Sequence, residues 1–236
     1  MQLPAVLFDL DGTLVDSVYE HVFAWWQTLR GAGIDVPKWN IHRRVGMSGK
    51  SFIKELLREL LPGRQHPDLS KLEEEHDARF ARFIPQLRVL PGAEDLLNHL
   101  RRSRVPIAIA TTGNREQTSL LLRRLRLPTG MSVVTGDDVA KAKPSPDIFV
   151  AAARKVRVDI SDCIVVGDSV WDVLAAGRKR ALPVSLLSGG YGADELERAG
   201  AFRVYADPME MMLHLEQVGL PGEIETSSVR HGAVKK

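Results

Sequence analysis

Two aspartates near the start of the chain are spaced so that both can serve one site. Asp9 and Asp11 flank Leu10 and are followed by Gly12 and Thr13. Phosphoryl transfer through an acyl-phosphate requires a carboxylate nucleophile beside a second carboxyl that serves as acid and base. A turn rich in Asp and Gly would also explain the two acids, but it leaves them crowded with nothing to neutralise their charge. The pair is therefore a candidate centre for phosphoryl transfer.

A polar segment after a later apolar run could hold a phosphate. Thr111, Thr112, Gly113 and Asn114 follow the apolar residues 107–110 and lead into a helical pattern. Hydroxyls and consecutive backbone N–H groups at the start of a helix form a natural anion cradle. Alone this signal is weak, because Thr111 could equally finish a strand or cap the next helix.

A single lysine further along the chain could balance the negative charge of such a site. Lys143 precedes Pro144, just before a well-marked helix start. Its compact ammonium would offset a phosphoryl group that sits among carboxylates. The ordinary alternative for any Lys-Pro pair is a solvated surface lysine.

Two more acids are spaced for a hard cation. Asp168 follows an apolar run directly, and Asp172 comes one helical turn later. Mg²⁺ prefers octahedral oxygen coordination, usually through one or two carboxylates with waters and substrate phosphate, and Asp9 could complete such a set. The alternative for Asp168 is an N-capping role.

All four groups fall at the ends of predicted strands or in the loops that follow. Short apolar runs alternate with helical patterns, which predicts an α/β, doubly wound parallel sheet covered on both faces. Such a sheet binds ligands at the carboxyl ends of its strands, so these residues should gather in one crevice. The predicted strands are residues 5–10, 106–110, 131–135, 163–166 and 183–187.

The segment between the first two strands is too long for a loop. It holds about ninety residues, far beyond the usual connection, and carries helical patterns at residues 19–30, 50–61 and 72–83. We therefore predict a small helical bundle over residues 17–85, inserted into an α/β core.

The predicted core comprises residues 1–16 and 86–221, and a polar tail at 222–236 is expected to be disordered. Ser145, Pro146 and Asp147 predict an N-cap, a first-turn proline and a first-turn acid for a helix over residues 148–156.

Composition limits the choice of partners and compartment. The chain has 236 residues, 44% hydrophobic and 26% charged, and its formal net charge is only +2, which favours neither nucleic acid nor a membrane as partner. The single cysteine, Cys163, excludes an internal disulfide and is expected in a buried strand. With no N-terminal apolar run long enough for a signal or spanning segment, we expect a cytoplasmic protein. The oligomeric state is left open.

The four motifs, in this order and with a helical insertion after the first, resemble one known family. Asp-x-Asp-Gly-Thr at residues 9–13, Thr111, Lys143 and Gly-Asp-x-x-x-Asp at residues 167–172 resemble haloacid dehalogenase-like hydrolases with a cap between the first two strands. The resemblance spans residues 5–217. It implies a Rossmann-like core, a helical cap and Mg²⁺-dependent phosphatase chemistry.

The resemblance also implies a role for each matching catalytic residue. Asp9 corresponds to the nucleophile, Asp11 to the general acid and base, Thr111 to a phosphoryl ligand and Lys143 to the charge clamp. An acid at position 11 favours phosphate esters over halides, because an alkoxide leaves poorly unless it is protonated.

The same resemblance implies a Mg²⁺ site. Asp168 corresponds to the principal metal ligand, beside the Asp9 carboxylate and the backbone carbonyl of Asp11. Asp172 is the fourth member of the implied set, and family members differ in how they use this last acid.

The implied substrate is a small phosphorylated metabolite, phosphoglycolate- or sugar-phosphate-like. Thr112, Gly113 and Asn114 are candidate phosphate contacts, and the insertion offers further candidate substrate contacts, which are His21, Arg44, Ser48 and Lys50. A sugar phosphomutase is the alternative within enzymes, although Gly49 replaces an arginine of the mutase pattern. A non-catalytic phospho-ligand-binding protein is the alternative of another class.

Overall fold

The computed structural model describes residues 3–60, 67–124, 127 and 130–222, with the side chains of Lys50 and Arg124 outside that description. Its strands are β1 (Ala5–Phe8), β2 (Val15–Asp16), β3 (Arg88–Val89), β4 (Ile107–Ala110), β5 (Ser132–Val134), β6 (Cys163–Gly167), β7 (Leu182–Leu186) and β8 (Arg203–Tyr205). Its α-helices are α1 (Val18–Gly31), α2 (Lys38–His42), α3 (Gly49–Leu60), α4 (Leu69–Phe80), α5 (Ala93–Arg102), α6 (Arg115–Arg124), α7 (Asp147–Val156), α8 (Val170–Gly177), α9 (Ala193–Ala199) and α10 (Pro208–Leu213). Short 3₁₀ turns occupy Ile84–Gln86, Gly136–Asp138, Ile160–Asp162, Leu187–Gly189 and Leu215–Val218.

Six strands form one parallel sheet in the order β5-β4-β1-β6-β7-β8. The strand order reverses at β1, which pairs with β4 on one side and β6 on the other. This is the switch point at which doubly wound sheets open a ligand crevice. The predicted fold class, an α/β doubly wound sheet, is confirmed.

Alternate residues of the central strands face opposite sides of the sheet. Val6 and Phe8 join one apolar cluster, whereas Ala5 and Leu7 join another. Helices α5 and α10 contribute to the first cluster, and α7 and α8 to the second. Because both faces are covered, the strands are continuous apolar runs rather than alternating ones.

The five predicted strands are all present, each with slightly different ends. The sheet also contains β8, and a two-stranded antiparallel ribbon joins β2 to β3, none of which was predicted. These strands have only two or three residues and little burial, so they carry no clear hydrophobic period. The ribbon pairs Asp16 with Arg88, so the two ends of segment 17–87 lie side by side.

Helices α1 to α4 build a second apolar core. Helix α1 packs on α2 and α4, and α3 packs on α4. Trp25, Phe52 and Leu72 belong to this core. The predicted helical patterns are confirmed, whereas α2 was missed because five residues are too few to show a helical period. The end of the pattern at 50–61 and the predicted tail at 222–236 lie largely outside the described residues.

The predicted N-cap at Ser145 is wrong by one residue. Pro146 is the cap residue of α7 and makes no side-chain cap bond. Ser145 Oγ instead donates to Asp147 Oδ1 at 2.8 Å. The expected burial of Cys163 is confirmed at the start of β6. Among the described helices, not one has the length and apolar character needed to cross a bilayer.

Burial in the apolar cores predicts which substitutions lower the free energy of unfolding. Leu97 on α5 is fully buried in the sheet core, so Leu97→Ala should lower the free energy of unfolding by about 2–5 kcal/mol. Leu213 on α10 is 61% exposed, so Leu213→Ala should change it by less than about 0.5 kcal/mol. Urea unfolding midpoints measure both, and equal shifts for the two variants would contradict this packing.

Candidate active site

Three neighbouring strands deliver polar side chains to one edge of the sheet. Asp9 follows β1, Thr111 follows β4 and Asp168 follows β6. These strands are adjacent, so the residues that follow their carboxyl ends meet. The structure brings together Asp9, Asp11, Thr111, Lys143, Asp168 and Asp172 as the sequence predicted.

Lys143 lies at the centre of this group. Its side chain is fully buried, and Nζ lies 2.7 Å from Asp9 Oδ1 and 2.8 Å from Asp172 Oδ1. The alternative of a solvated surface lysine is therefore wrong. A buried ammonium is costly unless it is paired, and here two carboxylates share it.

The buried charges shift one another's protonation. Burial raises the pKa of Asp9 to about 7, even though Lys143 acts in the opposite direction. Burial, with the charges of Asp172 and Asp9, holds the pKa of Asp168 well above its usual range. Burial alone would lower the pKa of Lys143, but Asp172 and Asp9 outweigh it and raise that pKa. If Asp9, Asp168 and Asp172 were all ionised around the one ammonium, an excess of negative charge would remain.

Carboxylate oxygens of Asp9, Asp168 and Asp172 lie within 4.8 Å of one another. Carboxylate oxygens fit a hard cation, and the charge of such a cation would lower the raised pKa values of Asp9 and Asp168. The group could therefore hold a metal ion.

Asp172 differs from the other two acids because protein groups engage both of its oxygens. Oδ1 faces Lys143, and Oδ2 accepts from Ser169 Oγ at 2.6 Å and Ser169 N at 3.2 Å, which caps α8. Asp168 Oδ1 accepts from Thr13 Oγ1 at 3.1 Å, and Asp168 does not cap α8, because Ser169 is the cap residue. The prediction that Asp172 is itself a metal ligand stays a prediction.

Two glycines make room for Asp168. Gly12 has φ +76°, and a Cβ there would lie 2.5 Å from Asp168 Oδ2. A Cβ at Gly189, in the turn after β7, would lie 1.8 Å from the same oxygen. Sequence reasoning missed Gly189, and the only signal was the Ser188-Gly189-Gly190 turn at another strand end.

Asp11 points into a second polar cluster. Its Oδ1 accepts from Ser17 Oγ at 2.6 Å and lies 3.3 Å from His21 Nε2, while Oδ2 accepts from Thr111 Oγ1 at 3.5 Å. Burial would raise the pKa of Asp11, but His21 and Ser17 reverse that effect and lower it. Asp9 and Asp11 thus lie in different environments, which raise the pKa of the first and lower that of the second.

The polar segment after β4 forms a tight loop. Gly113 N donates to Thr111 Oγ1 at 3.1 Å, and Thr112 Oγ1 donates to Met47 O at 3.5 Å. Asn114 Nδ2 donates to Asp77 Oδ2 at 2.8 Å. The loop is therefore hydrogen-bonded to segment 17–87, the helical layer above the strand ends.

A cavity of about 970 Å³ lies between the strand ends and helices α1, α3 and α4. That volume suits a small-molecule ligand. The sequence-predicted residues that line it are Asp11, His21, Arg44, Ser48, Thr112, Gly113 and Asn114. Asp9, Lys143 and Asp168 are buried and are not among the lining residues.

The predicted contacts from the insertion have other partners as well. The Arg44 guanidinium donates to Asn40 and Glu59, and Ser48 Oγ accepts from Ser51 N at 3.3 Å. The predicted contact at Lys50 lies outside the described side chains.

Comparison with known proteins agrees with this geometry. A family model described as haloacid dehalogenase-like hydrolase matches residues 3–178. Hexitol phosphatase A of Escherichia coli (strain K12) is 31% identical over 74% of this chain and 79% of that protein. Phosphoglycolate phosphatase of Agrobacterium fabrum (strain C58 / ATCC 33970) is 31% identical over 80% of this chain and 82% of that protein.

A solved structure of a hydrolase from Pseudomonas syringae has 44% sequence identity and a TM-score of 0.87, covering 91% of this chain and 99% of that one. The chain belongs to the haloacid dehalogenase-like hydrolases. Within that family it is a phosphatase.

The raised pKa of Asp168 predicts a stability effect. Between pH 3.8 and the raised value, the native state binds more protons than the unfolded state, so stability falls as the pH rises through this window. Asp168→Asn removes that ionisation. The variant should melt at a higher temperature than the wild type at pH 8 in EDTA, with a much smaller difference near pH 4.

Thermal unfolding measures this effect, with the exposed Asp162→Asn as the control that should show no such pH dependence. A lower melting temperature for Asp168→Asn at both pH values would contradict the account of a strained, buried carboxylate.

Proposed function

We propose that the protein is a Mg²⁺-dependent phosphatase that hydrolyses a small phosphate monoester through an aspartyl-phosphate on Asp9. The observation that carries the proposal is the Asp9 carboxylate at the switch point of the sheet. Lys143 Nζ lies 2.7 Å from one of its oxygens, and an Asp168 oxygen lies within 4.8 Å, close enough for both acids to bind one cation. Similarity to Phosphoglycolate phosphatase and Hexitol phosphatase A supports a phosphoglycolate- or sugar-phosphate-like substrate.

In the first proposed step, an oxygen of Asp9 attacks phosphorus while the bond from phosphorus to the ester oxygen breaks. Asp11 gives its proton to that oxygen, so that an alcohol leaves rather than an alkoxide. The pKa of Asp11 is lowered in the free protein, and the negative charge of a bound phosphate ester favours the protonated form that this step requires. Lys143, the Thr111 hydroxyl and the N–H groups of residues 112–114 stabilise the charge on the phosphoryl oxygens.

In the second proposed step, water attacks the phosphorus of the aspartyl-phosphate. Asp11, now ionised, takes a proton from that water, and the bond from phosphorus to Asp9 breaks. Inorganic phosphate leaves, and both carboxylates return to their starting states. Asp11 thus changes role between the steps, which suits a carboxyl with its own hydrogen-bonding environment apart from Asp9.

The residues that would hold Mg²⁺ are Asp9, Asp168 and the backbone carbonyl of Asp11. When bound, the cation neutralises charge on the phosphoryl group and on the acids around it. We propose that Asp172 acts from behind this set, because its two oxygens already hold Lys143 and Ser169.

We further propose that residues 17–85 act as a cap on a core formed by residues 1–16 and 86–221. The β2-β3 ribbon at the two crossings and the separate apolar core of α1 to α4 support this division. Asp9 is only 4% exposed and does not line the cavity, so we propose that substrate reaches it when the helices move away from the strand ends.

The nucleophile assignment predicts that Asp9→Asn loses nearly all turnover while it keeps its fold. The amide cannot attack phosphorus, so Mg²⁺-dependent phosphate release from a panel of phosphorylated metabolites should fall by at least about 10³-fold. Unfolding midpoints and circular dichroism verify that the variant is folded.

Three outcomes of that panel would each count against the proposal. Substantial activity in folded Asp9→Asn would show that Asp9 is not the nucleophile. An inactive wild type that still binds phosphate esters would favour a binding protein. Isomerised sugar phosphate without phosphate release would favour the phosphomutase.

The proposed cap predicts that Arg44 affects substrate choice rather than chemistry. Arg44 lines the cavity, so Arg44→Ala should raise KM severalfold for the preferred metabolite while turnover of 4-nitrophenyl phosphate changes little. Glu59→Ala is the matched control, because it removes a partner of Arg44 outside the cavity lining and keeps the guanidinium. Loss of both activities in a folded Arg44→Ala would place this loop in the chemical site itself.

A further inference from the structure

Five side chains form a continuous hydrogen-bonded chain that starts at Asp11. His21 Nε2 lies 3.3 Å from Asp11 Oδ1, and His21 Nδ1 lies 3.2 Å from His76 Nε2. His76 Nδ1 lies 3.0 Å from Asp77 Oδ1, and Asp77 Oδ2 accepts from Asn114 Nδ2 at 2.8 Å. This series of hydrogen bonds therefore ends in the loop that carries Thr111.

The direction of each hydrogen bond follows from the far end. The Asp77 carboxylate can only accept, so His76 Nδ1 carries the proton between them. Burial lowers the pKa of His76 to about 4, so its ring is neutral near pH 7 and its Nε2 is an acceptor. His21 Nδ1 must then donate to His76. This fixes which ring nitrogen of His21 faces Asp11.

This series of hydrogen bonds connects the loops at the strand ends to helices α1 and α4 at two points. Asp11 and Asn114 belong to loops at the strand ends, whereas His21 lies on α1 and His76 and Asp77 lie at the end of α4. Asn114 is itself fixed, because its Oδ1 accepts from Gln117 N at 2.8 Å. The orientation of His21 against Asp11 thus depends on α4 being seated on the loop after β4.

We infer that His76 and Asp77 are positioning residues that hold His21 in the one orientation that directs Nε2 at Asp11. The inference rests on the proposed acid and base role of Asp11. It makes the orientation of His21 against Asp11 depend on the contact between α4 and the loop after β4, because the bond from Asn114 to Asp77 joins these two elements.

Packing alone does not account for the chain. The His76 ring stacks on Trp25 with centroids 4.1 Å apart, and His21 stacks on Phe80 at 3.7 Å. A phenylalanine at position 76 would preserve such stacking and bury no polar atom. A buried histidine with both nitrogens engaged costs desolvation that an apolar ring avoids, so its polar contacts point to a role beyond packing.

The test uses His76→Phe, which keeps the ring and removes both nitrogens, and His76→Gln, which keeps an acceptor for His21. Phosphate release is measured with Mg²⁺ on 4-nitrophenyl phosphate, whose leaving group needs little protonation, and on glycerol phosphate, whose leaving group needs it. The readout is the ratio of kcat/KM for the two esters. Asp11→Asn is the reference variant, and His99→Phe controls for loss of a buried histidine elsewhere.

His76→Phe should lower kcat/KM for glycerol phosphate by about 10- to 100-fold and for 4-nitrophenyl phosphate by less than about 3-fold. Asp11→Asn should show the same selectivity to a larger extent, His76→Gln should recover most of the loss, and His99→Phe should leave the ratio unchanged. Asp77→Asn provides a second route, because the amide oxygen cannot accept from both His76 and Asn114. It should shift the ratio in the same direction.

Equal losses on both esters, an unchanged ratio in His76→Phe and Asp77→Asn, or a glutamine no better than phenylalanine would overturn the inference. Failure of the proposed function is read separately, on the wild type and Asp9→Asn. A wild type that hydrolyses neither ester, or an active Asp9→Asn, refutes the phosphatase mechanism whatever the variants at position 76 do.

Discussion

The buried ammonium of Lys143 between Asp9 and Asp172 is the interaction on which the site depends. Each carboxylate would be costly to bury alone, and without the ammonium all three acids would repel one another across less than 4.8 Å. Burial is the main reason that the pKa values of Asp9 and Asp168 are raised, and the charges of neighbouring acids add to it because one lysine cannot neutralise three acids. Ionising all three acids is therefore costly without a cation, and a bound cation would lower that cost.

The fold supplies the rigidity that keeps these buried charged groups close together. Asp9 and Asp168 follow adjacent, fully buried strands, so their backbones are fixed by parallel hydrogen bonds and by apolar clusters on both faces. Asp172 is held from the other direction, as the acid that completes the cap of α8. Lys143 precedes α7, which packs on the same sheet. Packing in the core therefore offsets the electrostatic cost at its edge.

The sequence predicts the part of this arrangement that depends on local pattern. Asp9, Thr111 and Asp168 directly follow apolar runs, so strand periodicity and parallel topology suffice to bring them together. Neither Gly189, which the chain contributes from a more distant strand end, nor the pairing of His76 with His21 has a local signal. Such contacts depend on side-chain directions across separate elements, and no periodicity records them.

Short elements escaped prediction for a related reason. Strands β2, β3 and β8 and helix α2 are too short to show a period, and tertiary context stabilises them. The β2-β3 ribbon nevertheless matters for function, because it lies where the chain enters and leaves the helical layer. The burial of Lys143 likewise had no local signal, because its partners lie after β1 and in the first turn of α8.

The contacts between the helical layer and the strand ends suit an interface that opens. Ala24 and Phe80 of these helices pack in the apolar cluster of the sheet, but other contacts are polar bonds, such as His42 Nε2 to Gly189 O at 2.7 Å and Thr112 to Met47. Each contributes only about 0.5–1.5 kcal/mol net, because water replaces it when the surfaces separate. Breaking several at once costs a few kcal/mol, which thermal motion supplies on the timescale of turnover. Most apolar side chains of α1 to α4 pack in their own core, so the closed state can combine a preorganised site with a route for substrate to reach Asp9.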